Sequence, residues 1–149
     1  MRLWHKDLID VLPNQQLLGQ WRELCCITRN LAINGTPNHL LVNKVLEYPM
    51  DHFVTYTQLI YNELCDRGAR VNWNNFEKWL PSTIYKPIKK HDLFEDWHNY
   101  RYLTQCVYNL EEKFDCGGIS QDEWVKIYAR FIQLTRVFPT NWYDWTTSF

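Results

Sequence analysis

The 149-residue sequence has no glycine-rich phosphate loop, no G-x-S-x-G elbow and no H-E-x-x-H helix. These gaps exclude the familiar routes to nucleotide, serine-hydrolase and zinc-protease chemistry. There is no C-x-x-C pair. Cys25, Cys26, Cys65, Cys106 and Cys116 are an odd number, which argues against a disulfide framework and for free, buried thiols in a reducing compartment. No window approaches the roughly 18 apolar residues of a membrane span, and no long apolar run follows the basic residue at the start. The expectation is therefore no membrane partner, no secretory leader and a cytoplasmic location. Neither sign of charge dominates, with 16 Lys+Arg against 17 Asp+Glu. Nucleic-acid binders are usually basic, so a DNA partner requires the charges to be segregated. The alternating pattern of a half-buried strand is missing throughout.

What the sequence does have is rings and helical spacing. Eight Trp, nine Tyr and seven Phe imply a core rich in aromatics, with some rings left to stack on bases. Leu12-Pro13-Asn14 opens a helix carrying Leu17, Leu18, Trp21, Leu24, Cys25 and Leu31, and Gly35 ends it. Pro37-Asn38 predicts a short helix with Leu41, Val42 and Val45. A longer one follows Pro49, with Phe53, Tyr56, Ile60 and Leu64 on one face, and stops at Gly68. A looser stretch over 69–90 holds room for a short helix near Trp73–Trp79. Helical spacing resumes at Phe94 and Trp97, continues through Leu103, Val107, Leu110 and Phe114, and ends at Gly117-Gly118. Ser120 and Glu123 read as a capping box before Trp124, Ile127, Tyr128, Phe131 and Leu134, with Pro139 closing that helix. The reading is a mainly α fold: a single compact helical domain over 1–149, about four to six helices, without a sheet.

The candidate basic surface is split between Arg2, Lys6, Arg22 and Arg29 near the start and Lys86, Lys89, Lys90 and His91 later. Acids gather at Asp92, Glu95, Asp96 and between Glu111 and Glu123. The histidines (His5, His39, His52, His91 and His98) lack repeated i, i+4 pairing, and the acids near His91 and His98 read as surface. No metal site is expected. The pair Arg22-Glu23 lies mid-helix between Trp21 and Leu24, so Glu23 falls near the apolar stripe at about 100° per residue. From spacing alone, an ordinary boundary charge explains it.

The block Met1-Arg2-Leu3-Trp4-His5, then Leu8-Ile9, Leu12-Pro13 and the run from Gln15 to Leu24, resembles the pyrimidine-dimer DNA glycosylase family. That family includes the bacteriophage endonuclease V and bacterial relatives opening with the same M-R-L-W-H. The similarity is specific over 1–24, looser through Val42-Asn43-Lys44 and Glu63–Gly68, and beyond about 75 rests on the Trp142-Tyr143 tail.

The resemblance implies a glycosylase with abasic-site lyase activity on damaged double-stranded DNA, acting as a monomer without cofactor. It implies that the chain's own α-amine is the nucleophile, here on Met1 because Arg2 is too large for ordinary removal of the initiator. An α-amine has a reference pKa of about 7.7–8.0, against about 10.4 for lysine, so a useful fraction is neutral at working pH. It can displace a base from C1′ as an imine, and the Schiff base then eases strand cleavage. The resemblance assigns Glu23 to stabilising charge on the sugar and to moving protons. It assigns Arg2, Gln15 and Arg22 to DNA binding, with Arg29, Trp142 and Tyr143 beside them. The sequence departs from the family pattern at Gln16, where a histidine is expected, and at Cys25-Cys26, where a basic residue is expected and Arg29 is the nearest substitute. Two further readings stay open: a non-catalytic nucleic-acid- or partner-binding module on the same scaffold, and a glycosylase for another modified pyrimidine.

Overall fold

Single residues set both ends of the first long helix, α1 (Asn14–Asn34). Pro13 stands at its start, where a missing N–H costs no hydrogen bond. Gly35 ends it at φ 73°, and its N–H donates to the Leu31 carbonyl at 3.0 Å. The computed structural model describes residues 1–137. Among them all regular structure is helical: two 3-10 helices, η1 (Lys6–Val11) and η2 (Asn43–Glu47), with α1, α2 (Met50–Asp66), α3 (Asn74–Glu77), α4 (Tyr100–Asp115) and α5 (Gln121–Val137).

The stops and starts follow backbone chemistry. At the end of α2, the Gly68 N–H reaches the Cys65 carbonyl at 2.9 Å and the Ala69 N–H reaches Leu64 at 2.9 Å. Gly117 and Gly118 make the same paired closure on Phe114 and Lys113 at the end of α4. The capping box before α5 is reciprocal. Ser120 N–H donates to Glu123 Oε1 at 2.9 Å, and Glu123 N–H donates to Ser120 Oγ at 3.2 Å.

The core forms where α1 packs on α2 and α4 on α5, with η1 touching both α2 and α5. Leu17, Trp21, Leu24 and Ile27 of α1 meet Phe53, Tyr56, Ile60 and Leu64 of α2, the faces expected from spacing. Two guanidinium groups stitch η1 to its neighbours. Arg67 donates to the Leu12 carbonyl at 2.7 Å and the Asp10 carbonyl at 3.1 Å. Arg130 forks onto Asp10, at 2.6 Å and 2.7 Å to its two carboxylate oxygens.

Several expectations are corrected. The segment opened by Pro37-Asn38 does hold a short helix, the 3-10 helix η2, but it starts only at Asn43, because Asn38 adopts a left-handed φ of 58° and turns the chain; Val42 and Val45 go inward and Leu41 stays exposed. Phe94 and Trp97 are buried but precede α4, which begins after the Asn99 cap. Phe94 sits at φ 48°, so a run of turns, not a helix, generates that spacing. The acids near His91 and His98 (Asp92, Glu95 and Asp96) are exposed as expected, but His98 itself is buried: Lys6 N–H donates to its Nδ1 at 2.9 Å, and its carbonyl accepts from His5 Nε2 at 2.9 Å. Burial pushes His98 well below the ordinary histidine value and His5 down to about 4, so both are neutral structural groups. Lys6 is also buried, its Nζ donating to the carbonyls of His91 (3.0 Å) and Leu93 (2.6 Å), and contributes nothing to a basic face. Of the five cysteines only Cys106 is buried; Cys26, Cys65 and Cys116 are exposed. Pro139, Trp142 and Tyr143 lie outside the described residues.

The Arg130 fork holds the Asp10 carboxyl below its usual range. Its stabilisation is present above the ordinary carboxylate pKa and lost as pH falls through the lowered one. Arg130→Met should cost about 1 kcal/mol at neutral pH, a fall of about 2–4 °C in Tm. Thermal melts across pH check this: the gap from wild type should close below the carboxylate range, and a constant gap would assign the loss to packing.

Candidate active site at the amino terminus

The first five residues lie along α1 because Leu3 and Trp4 are buried, which obliges their backbone polar groups to find partners. Three side chains supply them. Gln20, 1% exposed, accepts from the Trp4 N–H at 2.8 Å and donates to the Arg2 carbonyl at 3.0 Å. Tyr56 of α2 completes the join, its hydroxyl donating to the Trp4 carbonyl at 2.6 Å and lying 3.0 Å from Gln20 Oε1. From α4, the Tyr102 hydroxyl donates to the Leu3 carbonyl at 2.5 Å. Three helices thus fix the course of the chain into residue 1.

Glu23 stands one turn after Gln20, and Gln20 Nε2 donates to its Oε2 at 3.2 Å. The same amide therefore holds the amino-terminal segment and the carboxylate. Glu23 is half-buried, and burial pushes its pKa up; the charge of the amino terminus, then that of Lys113, pulls it back. Met1 is 45% exposed, so the amine that acts on Glu23 is at the surface.

Arg2 is half-buried, its guanidinium 5.8 Å from the Trp4 ring centroid. It lines a cleft of about 620 Å³ with Lys44, Arg101, Tyr102 and Tyr108. Gln15, Arg22 and Arg29 are exposed, and their seven-residue spacing puts them on one stripe of α1. Arg29 lies over the Trp79 ring at 5.9 Å. The fold brings Met1, Arg2 and Glu23 together, and sets Gln15, Arg22 and Arg29 apart on that stripe. Among the described residues no cluster of His, Cys, Asp or Glu could hold a metal ion.

Sequence reasoning missed Gln20, Tyr56, Tyr102 and Lys113 as members of this site. Gln20 carries a usable signal: a polar residue inside the apolar face of α1, three before a candidate carboxylate. Lys113 carries none, being a distant residue of α4 whose charge reaches Glu23 only in the folded chain.

Gln20→Leu orphans the buried Trp4 N–H and should cost about 2–3 kcal/mol, a Tm fall of about 5–10 °C measurable by calorimetry. Glu23→Gln should act oppositely. Burial opposes the ionised form of Glu23, so above its raised pKa the neutral isostere should raise Tm. The gain should shrink as pH falls through the raised pKa of Glu23; a lowered Tm would contradict the burial that causes the shift.

A family model for pyrimidine dimer DNA glycosylases matches residues 1–79, just over half of the chain. The match contains Met1, Arg2, Gln20, Glu23, η2, α2 and α3. No curated protein and no solved structure gives a significant match.

Proposed function

The chain belongs to the pyrimidine dimer DNA glycosylase family, and we propose that it excises a damaged pyrimidine and cleaves the abasic site through an imine on the Met1 amine. The supporting observation is geometric: the Gln20 amide donates both to the Arg2 carbonyl at 3.0 Å and to Glu23 Oε2 at 3.2 Å, so one group holds the start of the chain beside the carboxylate. The M-R-L-W-H opening favours the bacterial branch of the family. No helix among the described residues is long and apolar enough to cross a membrane.

In this reading the neutral amine attacks C1′, the C1′–N bond breaks, and the electron pair leaves with the base, which takes a proton from solvent. The new ammonium gives one proton to the Glu23 carboxylate and recovers its lone pair; the sugar ring opens as that pair forms the C=N bond, and O4′ takes the proton on from the Glu23 carboxyl. Glu23, now a carboxylate, removes a proton from C2′. The electrons form a new C=C bond as the C3′–O bond breaks and the 3′ phosphate departs. Hydrolysis of the imine restores the amine.

The surroundings of Glu23 suit both duties. While the amine is neutral, one charge opposing protonation of Glu23 is absent, which favours the acid form. The iminium restores that charge and favours the base form. Arg2 and Arg22 hold phosphates beside the lesion.

Untagged protein mixed with duplex bearing a thymine dimer or an abasic site, then borohydride, should yield a covalent adduct. An amino-terminal extension should abolish it, with intact mass confirming that Met1 is retained and free. Glu23→Gln should lower strand cleavage by at least about 100-fold and leave DNA binding intact. An adduct that survives the extension would remove Met1 from the reaction. Salt-sensitive DNA binding with no adduct would identify a binding module instead.

A further inference from the structure

Three of the exposed apolar residues gather at one cleft, while Ile33, Ile84, Val125 and Tyr128 lie outside its lining. Leu40 is 86% exposed, Leu41 50%, Leu46 51% and Tyr108 58%. Leu40, Leu41 and Tyr108 all line the cleft that contains Arg2. Single leucines in water need no explanation, but two adjacent ones on the rim of a charged cleft mark a surface for something else.

The leucine tip is not slack chain. Asn38 N–H donates to Thr36 Oγ1 at 3.1 Å, His39 N–H to Asn43 Oδ1 at 3.3 Å, and Leu41 N–H to His39 Nδ1 at 3.2 Å. The backbone N–H groups of Val42 and Asn43 both return to the His39 carbonyl, at 3.1 Å and 2.9 Å. Val42, the next residue, is fully buried. The turn is therefore anchored on one side and holds its leucines outward, at a fixed place relative to the core.

The surroundings choose the occupant. Three cations, Arg2, Lys44 and Arg101, line the same cleft with two carboxylates, Asp96 and Glu112, and Lys44 also lies 3.8 Å from Glu47. A rigid apolar projection beside cations suits duplex nucleic acid: cations hold the phosphates while an aliphatic side chain separates a base step. The cleft is also continuous with the amino-terminal site, because Arg2 lines one and follows Met1 in the other.

We propose that the Leu40–Leu41 tip is an apolar wedge that enters the base stack of duplex DNA beside the lesion and holds the helix open there. This rests on the glycosylase reading above, since C1′ inside a stacked duplex is out of reach of the amine. The wedge fills the space that unstacking leaves.

The test uses the full chain, wild type and Leu40→Ala/Leu41→Ala, on three probes: dimer-containing duplex, a single-stranded abasic oligonucleotide, and duplex with 2-aminopurine next to the lesion. The double variant should keep the wild-type Tm, because neither side chain is buried. Its excision rate on the duplex should fall by about tenfold or more, while adduct formation on the single strand stays unchanged. Wild type should brighten 2-aminopurine on binding, and the variant should not. Unchanged duplex excision and unchanged 2-aminopurine signal would overturn the wedge and leave the enzyme standing. Wedge-dependent unstacking without any adduct would overturn the nucleophile and leave the wedge. An equal loss on single and double strands, or a wild-type dimer that Leu40→Asp/Leu41→Asp converts to monomer, would assign the leucines to another role.

Discussion

The site depends on one buried amide. Gln20 uses its oxygen and its nitrogen on both sides of the interface between the first residues and α1, accepting from Trp4 and donating to Arg2 and Glu23. A glutamate there would repel Glu23, and an aliphatic residue would leave the Trp4 N–H unpaired in a dry environment. An amide alone can accept from one backbone group and donate to another in that space. Tyr56 and Tyr102 extend the constraint, each hydroxyl donating to a carbonyl of the amino-terminal segment. What lies beyond Trp4 toward residue 1 is therefore directed by α1, α2 and α4 together.

That arrangement also sets the charge balance. Burial raises the pKa of Glu23, and the two cations that restrain it come from opposite ends of the chain, the amino terminus and Lys113. A carboxyl between desolvation and a removable positive charge can change protonation state when that charge changes, with no movement of the backbone. In the proposed reaction, Glu23 therefore needs no second carboxyl to serve as acid and then as base.

Much of the scaffold was legible because its helices obey local rules. Pro13 and Gly35 bound α1, Gly68 ends α2, and Ser120 with Glu123 caps α5 as their chemistry requires. Legibility failed where a long-range contact overrides the local pattern. Phe94 and Trp97 keep helical spacing yet belong to turns packed around His98, which a backbone N–H from residue 6 holds inside. Lys6 looks like surface charge in sequence, but its stem is buried and its ammonium spent on two carbonyls. For the site, Glu23 and Arg2 are readable only through the resemblance, and Gln20 was visible as a polar interruption. Lys113 was invisible, because nothing local connects it to α1.

The net charge of −1 is weak evidence about the surface that meets a ligand. Screening at physiological salt limits exposed charges to about 8 Å of influence, so a ligand responds to the near face and not to the sum. Part of that sum is internal. Glu63 pairs with Arg67, and Asp10 with Arg130. Near the amino-terminal site stand Arg2, Lys44, Arg101 and Lys113, with Arg22 exposed on α1. A body neutral overall and basic at one cleft would bind polyanions more weakly at long range than a uniformly basic one. It would keep its grip for the short distance over which a nucleotide leaves the stack, so discrimination would rest on unstacking and on the chemistry at Met1 more than on bulk attraction.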